Sequence, residues 1–265
     1  MDGTALNSKK QLSQRTMAAI ANAIKSGKII VPATARSLDS IPAELMELNG
    51  LSHLILNNGA AVVSMPEKDI LYSHVFEKQI SLSLFEQFKT FPCIILAAKP
   101  ETSMMDRSIH RIKDEKLKLR FQEIIRSWNP LVTDIGEGIR ENPPWVNFFT
   151  LVFTDGEEWQ RVFHSLKKQE GLNIASSTWG CIDIMPEGIH KGMALRFIAE
   201  KLGFNMKEVM AIGDNLNDME MLQNSGIGVA MGNSVEALKE QADRITLSCD
   251  EDGAAIAIEE IIQGI

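Results

Sequence analysis

The chain has 265 residues, of which 45% are hydrophobic and 23% charged, which is typical of a globular protein with one large domain or two modest ones. Its net charge of −8 argues against a nucleic acid or an anionic membrane as a partner, since both bind basic surfaces. No apolar run is long enough to span a membrane and no signal-peptide pattern is present, so we expect a cytoplasmic protein. The widely spaced Cys93, Cys181 and Cys249 form neither a zinc pattern nor a disulfide framework, and we expect free thiols.

The first part of the chain predicts helices that alternate with strands. The predicted elements are a helix at 13–26 and strands at 29–31 and 54–56. The first strand delivers Thr34 to the loop that follows it, and the second delivers Asn57 and Asn58. Polar residues at the ends of strands that alternate with helices favour a parallel sheet covered on both faces, which is an α/β fold.

The middle of the chain, from about residue 62 to 183, predicts a mixed α+β segment. Its predicted helices are 81–89, 109–128 and 157–169, and its predicted strands are 93–98, 147–153 and a pair within 174–184. Trp145, Asn147 and Trp179 could line a pocket, but packing in a core is the favoured interpretation. The basic run 113–120 is interrupted by acidic residues, which indicates a solvated helix face.

The strand–helix pattern resumes near Lys191 and leads to a turn with two carboxylates. Lys191 opens a predicted helix, where a cation suits an anionic ligand better than an ordinary surface; a plain surface lysine is the alternative. After the predicted strand 209–212, Asp214 and Asp218 lie four residues apart, at the edge where open α/β sheets bind ligands. Oxygen ligands in this arrangement favour Mg²⁺, although a turn that merely caps a helix is the alternative.

Several short motifs stand in a fixed order along the sequence, and together they resemble the haloacid dehalogenase (HAD) superfamily of phosphatases, in particular its Cof-like branch. The resemblance runs from residue 1 to about 252 and is weakest in the middle. It is carried by Asp2-Gly3-Thr4, Ala33-Thr34-Ala35-Arg36, Asn57-Asn58-Gly59-Ala60, Lys191-Gly192, Gly213-Asp214 with Asp218, Gly228-Val229-Ala230-Met231-Gly232-Asn233 and Asp250-Glu251-Asp252-Gly253.

The sequence departs from the family's first motif, Asp-x-Asp-Gly-Thr, at the nucleophile. Asp2-Gly3-Thr4 matches its last three positions and Met1 fills the variable one, so the nucleophilic Asp would stand immediately before Met1. The apolar strand that leads into that Asp is also missing. We favour a chain started at the wrong methionine over natural loss of the group, because a missing central strand would leave its neighbours' ladder groups unpaired. The chain as written is expected to be inactive or severely impaired.

The resemblance also implies the roles of the catalytic groups. Asp2 is similar to the general acid/base, and its backbone carbonyl would also bind the metal. Thr34 would offer its hydroxyl and its backbone N–H to a phosphate oxygen, and Lys191 would neutralise the phosphoryl group. For Arg36 a solvated side chain at the start of a helix is the plain alternative to a role in the site.

The remaining residues of the motifs are implied to bind metal or substrate. Asp214 resembles the side-chain ligand of Mg²⁺, and Asp218 the second acid, which orients a metal-bound water or Lys191. Asn217 would bind phosphate or the lysine. Asn58 and Gly59 would position the substrate, although Asn-Gly is also a common turn.

The resemblance therefore predicts a doubly wound α/β core with an inserted cap. The expected core is 1–64 with 185–265, and the expected cap, of the C2 type, is 65–184. The implied reaction is Mg²⁺-dependent hydrolysis of a small phosphorylated metabolite, a sugar phosphate being the first choice, through an aspartyl-phosphate. The alternatives are an inactive protein that binds phosphorylated metabolites and, with less support, a phosphomutase.

Overall fold

The computed structural model describes residues 1–107, 114–141, 145–177 and 179–264. The strands are, in chain order, β1 (His53–Leu56), β2 (Ala61–Ser64), β3 (Ile70–Ser73), β4 (Ile94–Ala98), β5 (Ser103–Asp106), β6 (Leu131–Thr133), β7 (Phe148–Val152), β8 (Leu172–Ala175), β9 (Cys181–Pro186), β10 (Met210–Gly213), β11 (Ile227–Ala230) and β12 (Arg244–Ile245). The helices are α1 (Gln14–Lys25), α2 (Ala43–Met46), α3 (Lys78–Phe88), α4 (Glu115–Trp128), α5 (Ile135–Glu141), α6 (Gly156–Leu166), α7 (Lys191–Leu202), α8 (Met219–Gln223), α9 (Glu236–Lys239) and α10 (Gly253–Gln263). None of the helices in these residues is long and apolar enough to cross a membrane.

Within the described part of the chain, the strands form three sheets. One has the order β1-β2-β3 and is antiparallel, and a second has the order β10-β11-β12 and is parallel. The third has the order β6-β5-β4-β7-β9-β8 and is largely antiparallel, and with α3 to α6 it forms what we call the six-stranded unit. Strand β3 falls in the expected cap segment by sequence, but it pairs with β2. The predicted α/β class is confirmed.

The apolar faces of these elements account for the packing. Helices α1 and α10 cover one side of β1 and β2, while α7 and α8 pack with β1, β10 and β11 on the other. In the six-stranded unit, α3, α5 and α6 share the larger core on one face of the sheet, and α4 packs against the opposite face. Since α4 covers only part of that second face, the rest remains available to line a cavity.

Most predicted elements are confirmed, with one correction. Residues 29–31 are not a strand, and only Ala33 forms a bridge, parallel to Ile55. In that register residues 29 and 30 lie opposite chain that precedes β1, so they have no strand to pair with. For the predicted helix 109–128, α4 confirms the part from residue 115 to 128, and residues 109–113 lie outside the described residues.

Candidate active site

A cavity of about 310 Å³ lies between the turn after β10 and the α4-covered face of the six-stranded unit. One wall contains six of the eight predicted site residues, namely Asp2, Thr34, Lys191, Asp214, Asn217 and Asp218. The facing wall comes from the six-stranded unit and mixes apolar with polar side chains, among them Leu96, Arg120, Trp128 and Thr150. The cavity therefore has a charged wall, which we call its floor, and a facing wall that is partly apolar.

Asp218 is fixed by its own turn. Its Oδ2 accepts hydrogen bonds from the backbone N–H of Asp214 at 3.0 Å and of Asn215 at 3.3 Å. Gly213, which ends β10, allows this close packing, because a Cβ there would lie 2.4 Å from the Cβ of Asp218. The turn caps a helix, which was the alternative interpretation of the sequence, but it also delivers both carboxylates to the cavity.

Lys191 is a buried cation and not a surface lysine. It is 3% exposed, and its Nζ lies 2.7 Å from Oδ1 of Asp218. Burial alone would disfavour the ionised form of Asp218, but the charge of Lys191 outweighs it and lowers the pKa of that carboxyl. His190, just before this helix, accepts the N–H of Met193 at its Nδ1 and so serves as the helix cap.

Asp214 carries the carboxylate that is least compensated by cations. Thr4 donates its hydroxyl to Oδ1 of Asp214 at 2.6 Å, and burial together with the negative charge of Asp218 raises the pKa of the carboxyl. Gly3 approaches so closely that a Cβ on it would lie 2.4 Å from Oδ2 of Asp214. Two neighbouring carboxylates that share one lysine leave a negative charge that a further cation would stabilise.

Asp2 is bound to Arg36, a residue that the sequence left undecided. Arg36 is 3% exposed, and its Nε and Nη2 donate to the two carboxylate oxygens of Asp2 at 2.9 and 2.8 Å. Although burial opposes ionisation, this pairing lowers the pKa of Asp2. Arg36 also lies 5.9 Å from the ring centroid of Trp128 in α4, so it joins the site to the six-stranded unit.

Thr34 reaches the cavity with its hydroxyl only. Its backbone N–H donates to the carbonyl of Ile55 at 2.9 Å, so the prediction that this N–H is open to a phosphate oxygen is wrong. The cause is the bridge between Ala33 and Ile55, which uses the donor in the ladder. The Thr34 hydroxyl accepts the N–H of Arg36 at 3.1 Å and keeps its own hydrogen to donate.

Asn58 and Gly59 lie behind the cavity wall. Asn58 has φ 54°, and its Oδ1 accepts from Nδ2 of Asn217 at 2.9 Å. Gly59 has φ +98°, and a Cβ there would lie 2.4 Å from the carbonyl oxygen of His190. The turn thus rests against the start of α7, where it supports Lys191.

The residues of the middle segment behave differently from one another. Asn147 is fully buried and accepts from Nδ2 of Asn57 at 3.0 Å, as the core interpretation expects. Trp179 is 68% exposed, so core packing is wrong for this residue, which lies in the loop between β8 and β9. Arg120 lines the cavity beside Glu123, so the run 113–120 is not simply a solvated face; Lys113 lies outside the described residues.

The sequence predicts one side-chain ligand for the metal, Asp214, with Asp2 binding through its backbone carbonyl and Asp218 acting through a water or Lys191. Within residues 1–107, 114–141, 145–177 and 179–264, no three His, Cys, Asp or Glu side chains cluster closely enough to hold a metal. The carboxylate of Asp2 is paired with Arg36 and that of Asp218 with Lys191. Asp214 is therefore the carboxylate best placed to bind a cation with its side chain.

Comparison with known proteins shows which family and which solved structures the chain resembles. The family model described as haloacid dehalogenase-like hydrolase matches residues 1–258. The 5-amino-6-(5-phospho-D-ribitylamino)uracil phosphatase YcsE of Bacillus subtilis is 30% identical over 97% of this chain and 92% of its own length. A haloacid dehalogenase-like hydrolase from Bacteroides thetaiotaomicron has a TM-score of 0.79 at 29% identity, covering 98% of this chain and 96% of its own. The HAD subclass IIB sugar phosphatase BT4131 shares the fold, with a TM-score of 0.81 at 23% identity over 98% and 96% of the two chains.

Proposed function

The chain belongs to the haloacid dehalogenase-like hydrolase family, and on that basis we propose that it hydrolyses small phosphate monoesters in a Mg²⁺-dependent reaction. The observation that carries the proposal is the group formed by buried Lys191 and Asp218 with the half-buried Asp214 on one cavity wall. A phosphate monoester is doubly charged and repels a carboxylate nucleophile, so a site for it must supply positive charge and aligned donors. Lys191, the Thr34 hydroxyl and Asn217 offer these at one place.

The residues present fit a magnesium ion. Mg²⁺ is usually held through one or two carboxylates together with substrate phosphates and waters, so a cluster of three carboxylates is not required. Asp214 would hold it with its side chain and Asp2 with its backbone carbonyl, while Asp218 would act through the water or lysine that it orients. Bound there, the ion would supply Lewis-acid stabilisation of the phosphoryl oxygens. The raised pKa of Asp214 supports this assignment, since a cation relieves the repulsion between the two carboxylates.

We place the nucleophile on an aspartate joined to the amino nitrogen of Met1. That nitrogen donates to the carbonyl of Ala33 at 3.3 Å, and Met1 lines the same cavity as Lys191 and Asp214. A residue attached there would enter the site, and a strand before it would run between residue 33, which bridges to β1, and β10, which lies in a separate sheet from β1. The nucleophile would attack phosphorus to form an aspartyl-phosphate and release the alcohol, and water would then hydrolyse that intermediate.

Asp2 has the position and charge of the acid/base that this sequence of steps needs. Arg36 holds it ionised, which suits removal of a proton from the attacking water in the second step. In the first step a protonated Asp2 would give its proton to the departing alcohol and become ionised, and in the second step it would take a proton from the attacking water, which restores the protonated form for the next turnover. The pairing with Arg36 thus favours the base role in the resting protein.

We propose that the six-stranded unit, within the segment 65–184, acts as the cap. It supplies the wall that faces Asp214 and Lys191, and the cavity of about 310 Å³ limits the leaving group to a small molecule. Closing such a wall over the site excludes water and bulky substrates. A sugar phosphate and a phosphorylated sugar alcohol carrying a ring, as in the name of the Bacillus relative, both belong in this size class.

The test is phosphate release from a panel of these compounds, with and without Mg²⁺. The chain as given is compared with one that is extended before Met1 by an apolar strand ending in Asp. Metal-dependent release from the extended chain alone is the expected result, and it should disappear when that added Asp is changed to Asn. If both chains fold and bind phosphorylated sugars but release no phosphate, hydrolysis is overturned and a binding protein without turnover takes its place.

A further inference from the structure

Asp183 in β9 is a buried carboxylate outside the catalytic group. It is 0% exposed, its Oδ1 accepts the hydroxyl of Thr150 at 2.9 Å, and its Oδ2 accepts Nδ2 of Asn58 at 3.1 Å. Burial raises the pKa of this carboxyl, while hydrogen bonds, including one from Ser177, oppose that shift. A buried carboxylate carries a large desolvation penalty, so a position that keeps one despite this penalty calls for an explanation.

The carboxylate fixes the orientation of a neighbouring amide. A carboxylate only accepts hydrogen bonds, so the nitrogen of the Asn58 side chain must face it. The Oδ1 of Asn58 therefore points the other way, where it accepts Nδ2 of Asn217 at 2.9 Å. The orientation of the Asn217 amide follows from that of Asn58, and both amides are buried.

The chain of hydrogen bonds ends at the charged floor of the cavity. Asn217 lines the cavity and directly precedes Asp218, whose carboxylate holds Lys191. We call the hydrogen-bonded series Asp183–Asn58–Asn217 the relay. It begins at Asp183 in the six-stranded unit, whereas Asn58 follows β1, which lies in another sheet. The relay thus connects two parts of the fold that face each other across the cavity.

We propose that Asp183 is a positioning residue that sets the Asn217 amide and the Lys191–Asp218 pair for the phosphoryl group, acting through Asn58. The expected effect on catalysis rests on the proposed phosphatase function. The hydrogen bonds of the relay can be tested without any turnover. Residues that orient the groups in direct contact with a reacting centre commonly affect activity about 10–100-fold when they are changed.

The discriminating variants are Asp183→Ala, Asp183→Asn and the control Asp106→Ala. Ala removes the acceptor of Asn58. Asn keeps one acceptor, because the Thr150 hydroxyl can rotate and accept from the new amide, so it should restore most of the effect. Asp106 is also a buried carboxylate of the six-stranded unit, and it accepts from the N–H of Ile135, away from the cavity. Its loss should lower stability without touching the relay.

The first readout needs no turnover. NMR of the chain as given, labelled with ¹⁵N-asparagine, would record the side-chain amide signals of Asn58 and Asn217. We expect Asp183→Ala to shift the Asn217 signals and speed their exchange, and Asp183→Asn and Asp106→Ala to leave them close to wild type. If Asp183→Ala does not fold, Asp183→Val, which also lacks an acceptor, replaces it. Unchanged Asn217 signals in the folded variant would overturn the proposal.

The second readout is kinetic and uses the extended chain. We expect kcat per folded molecule to fall at least about 10-fold in Asp183→Ala with KM within about twofold, and to recover in Asp183→Asn. A loss equal to that in Asp106→Ala would show a purely structural role and overturn the proposal. An extended wild type without any phosphatase activity would remove the proposed function, while the NMR result would still decide the relay.

Discussion

The Nζ of Lys191 lies 2.7 Å from Oδ1 of Asp218, and both side chains are only 4% exposed. Their contact joins the first residue of α7 to the turn after β10, two elements that are separate in sequence. Water is largely excluded from both side chains, so removing either one leaves the other without the partner that it contacts directly.

Replacing Asp218 by Asn should therefore destabilise the fold by about 1–3 kcal/mol, because buried Lys191 loses the carboxylate that it contacts and keeps the charge of Asp214 nearby. Denaturant unfolding of the chain as given would measure the change. The matched control is Glu236→Gln, which removes an ion pair with Lys239 in which the glutamate is 81% exposed, and which should change stability by no more than about 0.5 kcal/mol.

The same pair predicts a pH dependence. Because the pKa of Asp218 is lowered in the folded state, the stabilisation is complete above its ordinary value of about 4 and is lost as the pH falls through the folded pKa. This acid-induced loss should shrink in Asp218→Asn. An unchanged acid limb in that variant would show that other carboxyls control it.

The pairing between Arg36 and Asp2 predicts a shift in the pH profile of catalysis. Arg36→Gln removes the charge that lowers the pKa of Asp2, so that pKa should rise, and the acidic limb of kcat in the extended chain, which includes the step in which Asp2 acts as a base, should move to higher pH. Arg15→Gln is the control, since Arg15 makes a comparable two-point contact with Glu259 at an exposed site. Equal profiles for both variants would contradict the assignment of Asp2.

Magnesium binding should release protons at mildly acidic pH. The pKa of Asp214 is raised, so part of the population is protonated just above the ordinary carboxyl range, and a metal ligand must be ionised. Calorimetric titration of Mg²⁺ in two buffers of different ionisation enthalpy would measure this release. Asp214→Asn should abolish the binding heat, whereas Asp155→Asn, which alters a distant helix cap but keeps a good capping residue, should not.

Gly59→Ala tests the support of α7. Gly59 and Gly171 both have positive φ, but a Cβ at Gly171 meets nothing within 4 Å, whereas one at Gly59 meets the His190 carbonyl. Gly171→Ala should lower the free energy of unfolding by only the roughly 1–2 kcal/mol that a Cβ costs in a left-handed backbone conformation. Gly59→Ala should lose roughly 1–3 kcal/mol more by overpacking and should also lower the activity of the extended chain, because Lys191 moves. Equal stability losses measured by thermal unfolding would refute the close contact.

The sequence determined the local features of the protein by itself. The α/β class and most helices and strands are confirmed. These follow from apolar periodicity, caps and turn residues, each of which is encoded within a few neighbouring positions. The motif order added the family, which the match over residues 1–258 shows.

The tertiary structure alone decided which partner each polar group finds. Arg36 was undecided in the sequence and is buried against Asp2; the N–H of Thr34 is used by Ile55; and Asp183 meets Asn58 from a position 125 residues away. No short pattern encodes such contacts, because a side chain's hydrogen-bond partner depends on how whole sheets and helices pack. Burial then makes each pairing obligatory, since a charge or amide removed from water must be satisfied by whatever the fold brings beside it.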